Sequence, residues 1–224
     1  MTLRPLRGFY AILDAPASWL EDPEALERRA RQLLAAQPCC LQLRAKGAGA
    51  RALAAAAEPL VRLCRAAGVP FCVNDRLDVA LAVGADAVHL GQDDLPLADA
   101  LRVRAAAGRP ELAIGFSTHD RAQALAAVAG GADYIGFGPV FATGSKVNPD
   151  PVVGLEQLAE VCRAVSVPVV AIGGIALEAV GSVAAAGASA AALIAAIATA
   201  SDPTAAGLQI RAAFHPPAAA ARPA

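Results

Sequence analysis

The residues able to do chemistry in this chain stand in short polar clusters, each placed at the end of an apolar run. In order they are Gln42-Leu43-Arg44-Ala45-Lys46, Asn74-Asp75-Arg76, His89-Leu90-Gly91-Gln92-Asp93-Asp94, Ser117-Thr118-His119, Thr143-Gly144-Ser145-Lys146 and Gly173-Gly174-Ile175. Asp75 and Asp94 follow two successive runs. Two carboxylates brought together suit Mg²⁺, which keeps several waters and takes one or two carboxylates plus substrate phosphates. Asp93 is the neighbour that competes with Asp94, and capping of the following helices is the ordinary use of such acids. Arg44, Lys46 and Lys146 are cations suited to phosphate, the Arg as a bidentate fork and each Lys as a point charge. A salt-bridged rim is the plain alternative for any one of them, and weaker for three beside two acids.

Other members of the clusters carry less. Gln42 shares a strand face with Arg44 by the period of two and can hydrogen-bond a heterocycle. The loop Thr143-Gly144-Ser145-Lys146 offers hydroxyls and backbone N–H groups to an anion. Gly173-Gly174 reads either as a phosphate-binding turn or simply as a tight one. His89 is expected as a packed or rim residue and His119 as support for a helix start, with proton transfer the minority role for both. There is no Walker loop, no His-Glu-x-x-His motif and no convincing Ser-His-Asp set.

Such clusters need a scaffold that points them at one place. Eight strands are predicted, over Gly8–Asp14, Cys39–Arg44, Pro70–Asn74, Ala87–Leu90, Leu112–Ser117, Tyr134–Val140, Pro168–Gly173 and Ala190–Ala195. Helices are predicted between them over Pro23–Ala36, Arg51–Ala67, Leu77–Val83, Leu97–Ala107, Arg121–Ala129, Leu155–Val165 and Leu177–Ala186, with a last one over Pro203–Phe214. Gly68, Gly84, Gly108, Gly130 and Gly187 follow alanine-rich turns and read as left-handed C-caps. The alternation fits a single (β/α)₈ barrel over residues 1–215, with a patternless and mobile tail over 216–224. An open doubly wound sheet shares the alternation, but polar residues at nearly every strand end favour closure.

Bulk properties narrow the function. The chain has 224 residues, a formal net charge of −1 and 56% hydrophobic residues, much of them alanine. That supports a large core, and no global basic field recruits nucleic acid or anionic lipid. The five cysteines, Cys39, Cys40, Cys64, Cys72 and Cys162, are odd in number and lack Cys-x-x-Cys spacing. They are read as small buried hydrophobes in a reducing compartment. No signal-peptide core or membrane span is seen, so a cytoplasmic location without membrane partners is expected, and a homo-oligomer is left open.

Taken together, the clusters resemble thiamine phosphate synthase from Tyr10 to about Ile197, most specifically in Gln42-Leu43-Arg44-Ala45-Lys46, Asn74-Asp75, His89 to Leu95, Ser117-Thr118-His119 and Gly138 to Lys146. The resemblance implies a TIM barrel joining hydroxymethylpyrimidine diphosphate to a thiazole phosphate, with Mg²⁺ required. It implies that Gln42, Arg44, Lys46, Asn74, Ser117 and Lys146 hold the pyrimidine diphosphate, with Arg44, Lys46, Ser117 and Lys146 taking part in catalysis. It places Mg²⁺ on Asp75 and Asp94. It places the thiazole phosphate on Thr143, Gly144, Ser145, the Gly173-Gly174 turn and the Ile194-Ala195 end of the eighth strand. Two departures stand out. Ser145 replaces a usual Thr and keeps its hydroxyl. Ile194-Ala195-Ala196-Ile197 replaces a usual Val-Ser-Ala-Ile, so Ala195 loses one. The related thiazole tautomerases typically lack the Asn-Asp and Gly-Gln-x-Asp residues, which are present here. A tautomerase, or a non-catalytic barrel binding thiamine-related phosphates, is the alternative.

Overall fold

A computed structural model describes residues 6–143 and 150–215. Eight parallel strands close on themselves in chain order: β1 (Gly8–Asp14), β2 (Cys40–Arg44), β3 (Phe71–Asn74), β4 (Ala87–Leu90), β5 (Ala113–Thr118), β6 (Tyr134–Phe137), β7 (Val169–Ile172) and β8 (Ala190–Leu193). Closure is made by β1 against β8, with Gly8 opposite Ala190 and Ala11 opposite Leu193. The helices are α1 (Ala17–Leu20), α2 (Pro23–Ala35), α3 (Ala50–Ala67), α4 (Leu77–Val83), α5 (Leu97–Ala106), α6 (Arg121–Ala129), α7 (Gly154–Ala164), α8 (Val180–Ala185), α9 (Ala195–Ala198) and α10 (Pro203–Phe214). A 3₁₀ turn at Leu177–Ala179 leads into α8. The (β/α)₈ barrel expected from the alternation is the fold of the chain. Among the described residues no helix is long and apolar enough to cross a membrane. The predicted tail, 216–224, lies outside the described residues.

Two cores hold the barrel. Between sheet and helices lies a continuous layer in which Leu41, Leu43, Leu60, Phe71, Leu90, Ile135 and Phe137 are fully buried. The strand residues of the opposite phase fill the barrel itself: Tyr10, Cys40, Cys72, Ala87, Ala113, Tyr134, Val170, Ala190 and Ala192. Alternation of faces along each strand produces this division. Alanine at four interior positions leaves room for the rings of Tyr10 and Tyr134, whose centroids lie 6.1 Å apart. Gly115 makes room too, since a Cβ there would fall 2.1 Å from the Tyr134 ring.

Several boundaries differ from the pattern-based expectation. β6 stops at Phe137, not Val140, because Pro139 has no N–H to donate and Gly138 passes close beneath Ile172, where a Cβ would lie 2.0 Å from the carbonyl oxygen. β8 ends at Leu193, not Ala195: Ile194 already has helical φ and ψ, and its carbonyl accepts from Ala198. Ile194 and Ala195 therefore begin a short helix and do not end a strand. Gly68, Gly84, Gly108 and Gly187 have the expected positive φ, but Gly130 does not; its successor Gly131 takes φ +94°. Pro70 and Pro168 precede their strands, and their carbonyls still accept from Leu41 and Ile135. α1 carried too few residues to show a period. Of the five cysteines, all free, Cys40, Cys64 and Cys72 are buried as expected, whereas Cys39 and Cys162 are only half-buried. Burial nevertheless pushes Cys39 and Cys64 up to about 12, which leaves them protonated at neutral pH.

Candidate active site

The strand ends deliver their polar residues to one cavity of about 980 Å³ at the C-terminal rim. Every described residue singled out for the site lines it: Gln42, Arg44, Lys46, Asn74, Asp75, Asp94, Ser117, Thr143, Gly173, Gly174, Ile194 and Ala195. Gly144, Ser145 and Lys146 lie outside the described residues. The volume is near the top of the range for small-molecule sites, roughly 300–1,000 Å³, and suits two small ligands side by side.

Cations and acids are interleaved on one side of the cavity. Arg44, at the last position of β2, donates from Nη1 to Asp14 Oδ1 at the end of β1, at 2.5 Å. Lys46 Nζ reaches Asp75 Oδ2 at 2.8 Å. Asp75 sits directly after β3 with φ +63°, a left-handed conformation that Asp tolerates better than most residues. Its backbone N–H donates to the carbonyl of His89, which carries the β3–β4 pairing one residue past the end of β3. Asp94 accepts from the Gly91 N–H at 2.7 Å. Burial, together with the neighbouring Asp75 carboxylate, raises the Asp94 carboxyl above its ordinary value, while the Gly91 N–H and Lys46 act against that rise.

The two acids thus lie near enough for each charge to act on the other, with Lys46 as their nearby cation. Like charges held this close favour a cation between them. Among the described residues no group of three His, Cys, Asp or Glu side chains converges as a metal cage. A carboxylate pair open to a large cavity fits an ion whose remaining ligands are water and substrate oxygens, which is the habit of Mg²⁺ and not of structural zinc.

Opposite the acids, Gly173 and Gly174 have φ +95° and +64°. A Cβ at Gly173 would lie 2.5 Å from Pro139, and one at Gly174 2.3 Å from the Ala142 carbonyl oxygen. Both glycines are therefore required by close backbone approach as well as by φ, which exceeds what a Gly-Gly pair implies in a sequence. The turn stacks against the stretch from Gly138 to Ala142, where Val140 N–H donates to Ile172 and Phe141 N–H to Gly173. His119 braces the same stretch. Its Nδ1 donates to the Gly138 carbonyl at 2.7 Å, and its Nε2 lies 3.5 Å from Asp150 Oδ2. The helix start after β5 is capped by Asp120, not by His119, whose own N–H donates to Gln123.

The floor of the cavity holds residues that motif reasoning passed over. Tyr10 and Tyr134 meet hydroxyl to hydroxyl at 2.9 Å, and Tyr10 donates to Gln42 Oε1 at 2.7 Å. His89 lies within reach of Tyr134 through Nδ1 at 3.2 Å and of Ser117 through Nε2 at 2.9 Å. The only available signal was an aromatic at the third residue of one apolar strand and the first of another, which reads as plain core. His89, expected as a packed or rim residue, is half-buried and lines the cavity. Burial pushes its imidazole down to about 4, against a smaller upward pull from Asp75, so it is neutral at pH 7. This has a consequence for stability. Between about pH 6.5 and 4 the unfolded chain binds a proton that the folded chain refuses, so stability falls as the pH falls through that window and levels off below it. The loss is expected to reach at most about 3 kcal/mol. Urea unfolding at pH 7, 5.5 and 4 should show a shallower decline in His89→Gln than in the parent, and equal slopes would refute a buried neutral imidazole.

Comparison with known proteins agrees with this geometry. The family model described as thiamine monophosphate synthase matches residues 9–197. A thiamine-phosphate synthase of Anaeromyxobacter dehalogenans is 44% identical over 210 residues, covering 94% of this chain and 89% of the relative. One from Methanocella arvoryzae is 49% identical over 183 residues, covering 82% and 84%. Among solved structures, thiamine phosphate pyrophosphorylase from Pyrococcus furiosus superposes with a TM-score of 0.80 at 36% identity, covering 94% of this chain and 96% of that one. A 3-hexulose-6-phosphate synthase at 19% identity and a TM-score of 0.63 shares the barrel alone. Since the matched region runs from β1 to α9 and takes in each described polar cluster of the rim, the chain belongs to the thiamine monophosphate synthase family.

Proposed function

We propose that this chain joins hydroxymethylpyrimidine diphosphate to thiazole phosphate, releasing diphosphate and forming thiamine phosphate. The observation that carries the reading is the shared cavity, in which Arg44, Lys46 and the Asp75–Asp94 pair face the Gly173-Gly174 turn. One side suits a diphosphate with its metal, and the other a single phosphate on backbone N–H groups. Asp75 and Asp94 would hold Mg²⁺, which when bound would offset the charge of the departing diphosphate.

The remaining work falls to the protein. Arg44 and Lys46, together with Lys146, bind the diphosphate oxygens and stabilise the charge that grows as the carbon–oxygen bond breaks. The electron pair of that bond leaves with the diphosphate. The pyrimidine methylene, then cationic, accepts the lone pair of the thiazole nitrogen, and the new carbon–nitrogen bond completes the exchange. No strong general base is needed, which agrees with a His89 imidazole whose two nitrogens are both engaged, by Tyr134 and Ser117. Thr143, Gly144, Ser145 and the Gly173-Gly174 turn hold the thiazole phosphate. Ile194 and Ala195 help from the start of α9, where the missing hydroxyl of Ala195 leaves the task to backbone groups.

The test is an assay of the purified full-length chain with both substrates, with and without Mg²⁺. Thiamine phosphate and diphosphate are expected in equal amounts, and only with the metal. Isomerisation of the thiazole phosphate alone, without metal or pyrimidine, would replace this reading with the tautomerase one.

A further inference from the structure

Five hydrogen bonds link six side chains from six different strands into one chain across the barrel. The order is Asn74, Gln42, Tyr10, Tyr134, His89, Ser117. Gln42 and the two tyrosines are buried, and both ends open on the active-site cavity. The number of protons sets its direction. Gln42 Oε1 carries no hydrogen, so Tyr10 donates to it at 2.7 Å. Tyr10 has then used its only proton and accepts from Tyr134 at 2.9 Å. Tyr134 has likewise used its own and accepts from Nδ1–H of His89 at 3.2 Å. A neutral imidazole protonated at Nδ1 has a bare Nε2, so Ser117 donates to it at 2.9 Å. At the other end Gln42 Nε2 donates to Asn74 Oδ1 at 2.8 Å. The Cys72 thiol, 3.9 Å from Gln42 Oε1 and 3.7 Å from the Tyr134 hydroxyl, is too weak a partner to reverse this order.

We infer that Tyr10, Tyr134 and His89 are positioning residues that hold the two ends of this chain in opposite polarity. The amide end, Gln42 and Asn74, presents N–H donors, and the hydroxyl end, Ser117, presents an acceptor. The polarity of a ligand spanning the two ends is thereby specified. An aminopyrimidine matches, because its ring nitrogens accept and its exocyclic amine donates. The 4-oxo counterpart places a carbonyl where the amine stood and sets two acceptors against each other. Turning the Ser117 hydroxyl to meet it would strip the half-buried His89 Nε2 of its partner, with a loss of hydrogen bonding that the ligand does not replace. The choice of aminopyrimidine rests on the proposed function, whereas the direction of the chain stands on the hydrogen bonds alone.

The test reads the two parts separately. The full-length protein, labelled with ¹⁵N-histidine, has only three histidines, so His89 is assigned by its loss in His89→Gln. The expected result for the parent protein is the Nδ1–H tautomer of His89. In Tyr10→Phe the acceptor for Tyr134 is gone, Tyr134 donates to Nδ1, and the imidazole proton moves to Nε2. Tyr10 makes no hydrogen bond to His89, so a purely structural role for Tyr10 would leave that tautomer in place. The same variant is expected to lower the kcat/KM preference for the 4-amino over the 4-oxo pyrimidine diphosphate by about 10-fold or more, with the KM for thiazole phosphate unchanged. An Nε2–H tautomer in the parent protein overturns the chain, and so does an unmoved tautomer in folded Tyr10→Phe. Should Tyr10→Phe fail to fold, the parent tautomer decides. A tautomer that moves as expected in a protein inert toward both pyrimidines leaves the chain standing and removes the proposed function and the ligand preference with it.

Discussion

Asp75→Asn and Asp94→Asn are each expected to cut turnover by about 10²-fold or more while leaving thermal unfolding nearly unchanged. Both side chains sit at the cavity rim, and neither belongs to the buried core. Asn keeps the shape of each and removes the charge that would hold a divalent cation between them. The two variants should differ in a second respect. Asp75 also accepts from Lys46, so losing its charge frees the ammonium for the diphosphate and moderates the rise in KM for that substrate. Asp94 has the Gly91 N–H as its partner, and an Asn can keep that bond through its carbonyl oxygen. Steady-state kinetics across a Mg²⁺ titration check both expectations. Turnover close to that of the parent protein in both variants at saturating Mg²⁺ would remove the metal assignment.

Gly174→Ala is expected to damage both folding and activity. A Cβ at this position would lie 2.3 Å from the Ala142 carbonyl oxygen and 2.6 Å from that of Phe141, and φ is +64°. The obstacles are backbone atoms, so no rotamer change relieves them. The turn must move, and the hydrogen bond from Phe141 N–H to the Gly173 carbonyl is strained with it. Overpacking of this kind costs about 1–3 kcal/mol, and the left-handed backbone adds roughly 1 kcal/mol more. Because the turn is the proposed seat of the thiazole phosphate, the KM for that substrate should rise at least about 10-fold even at temperatures where the variant is folded. The pyrimidine diphosphate lies on the far side of the cavity and its KM should change little. Equal increases in both KM values would indicate general loosening of the rim in place of a damaged phosphate seat.

The architecture was legible because a (β/α)₈ barrel repeats one local rule eight times. Each strand is a short apolar run, each helix is alanine-rich, and nearly every strand leaves its polar residues at the same end. Local spacing was therefore enough to place Gln42, Arg44, Asn74, Asp75, Asp94 and Ser117 at one rim, and all of them line the same cavity. Where the expectation failed, the causes were a contact distant in sequence in one strand and local backbone choices elsewhere. β6 stops where Gly138 passes under Ile172, and the eighth strand turns helical at Ile194, two residues earlier than its apolar pattern suggested. Gly130 and Gly131 exchanged roles because a Gly-Gly pair permits either residue to take the positive φ.

What residue order alone determined was the set of chemical groups and their common end of the barrel, since these follow from strand polarity and the period of two. What only the tertiary structure decided was which groups touch. Asp75 and Asp94 are nineteen positions apart, and their proximity depends on the neighbouring placement of β3 and β4. Tyr10 and Tyr134, residues with the look of ordinary core, meet at hydroxyl distance because the barrel closes β1 and β6 around an interior lined by alanine. A hydrogen bond has a range of about 3 Å and a direction. Neither is encoded in spacing along a chain, and both appear only when strands remote in sequence are packed around a common axis.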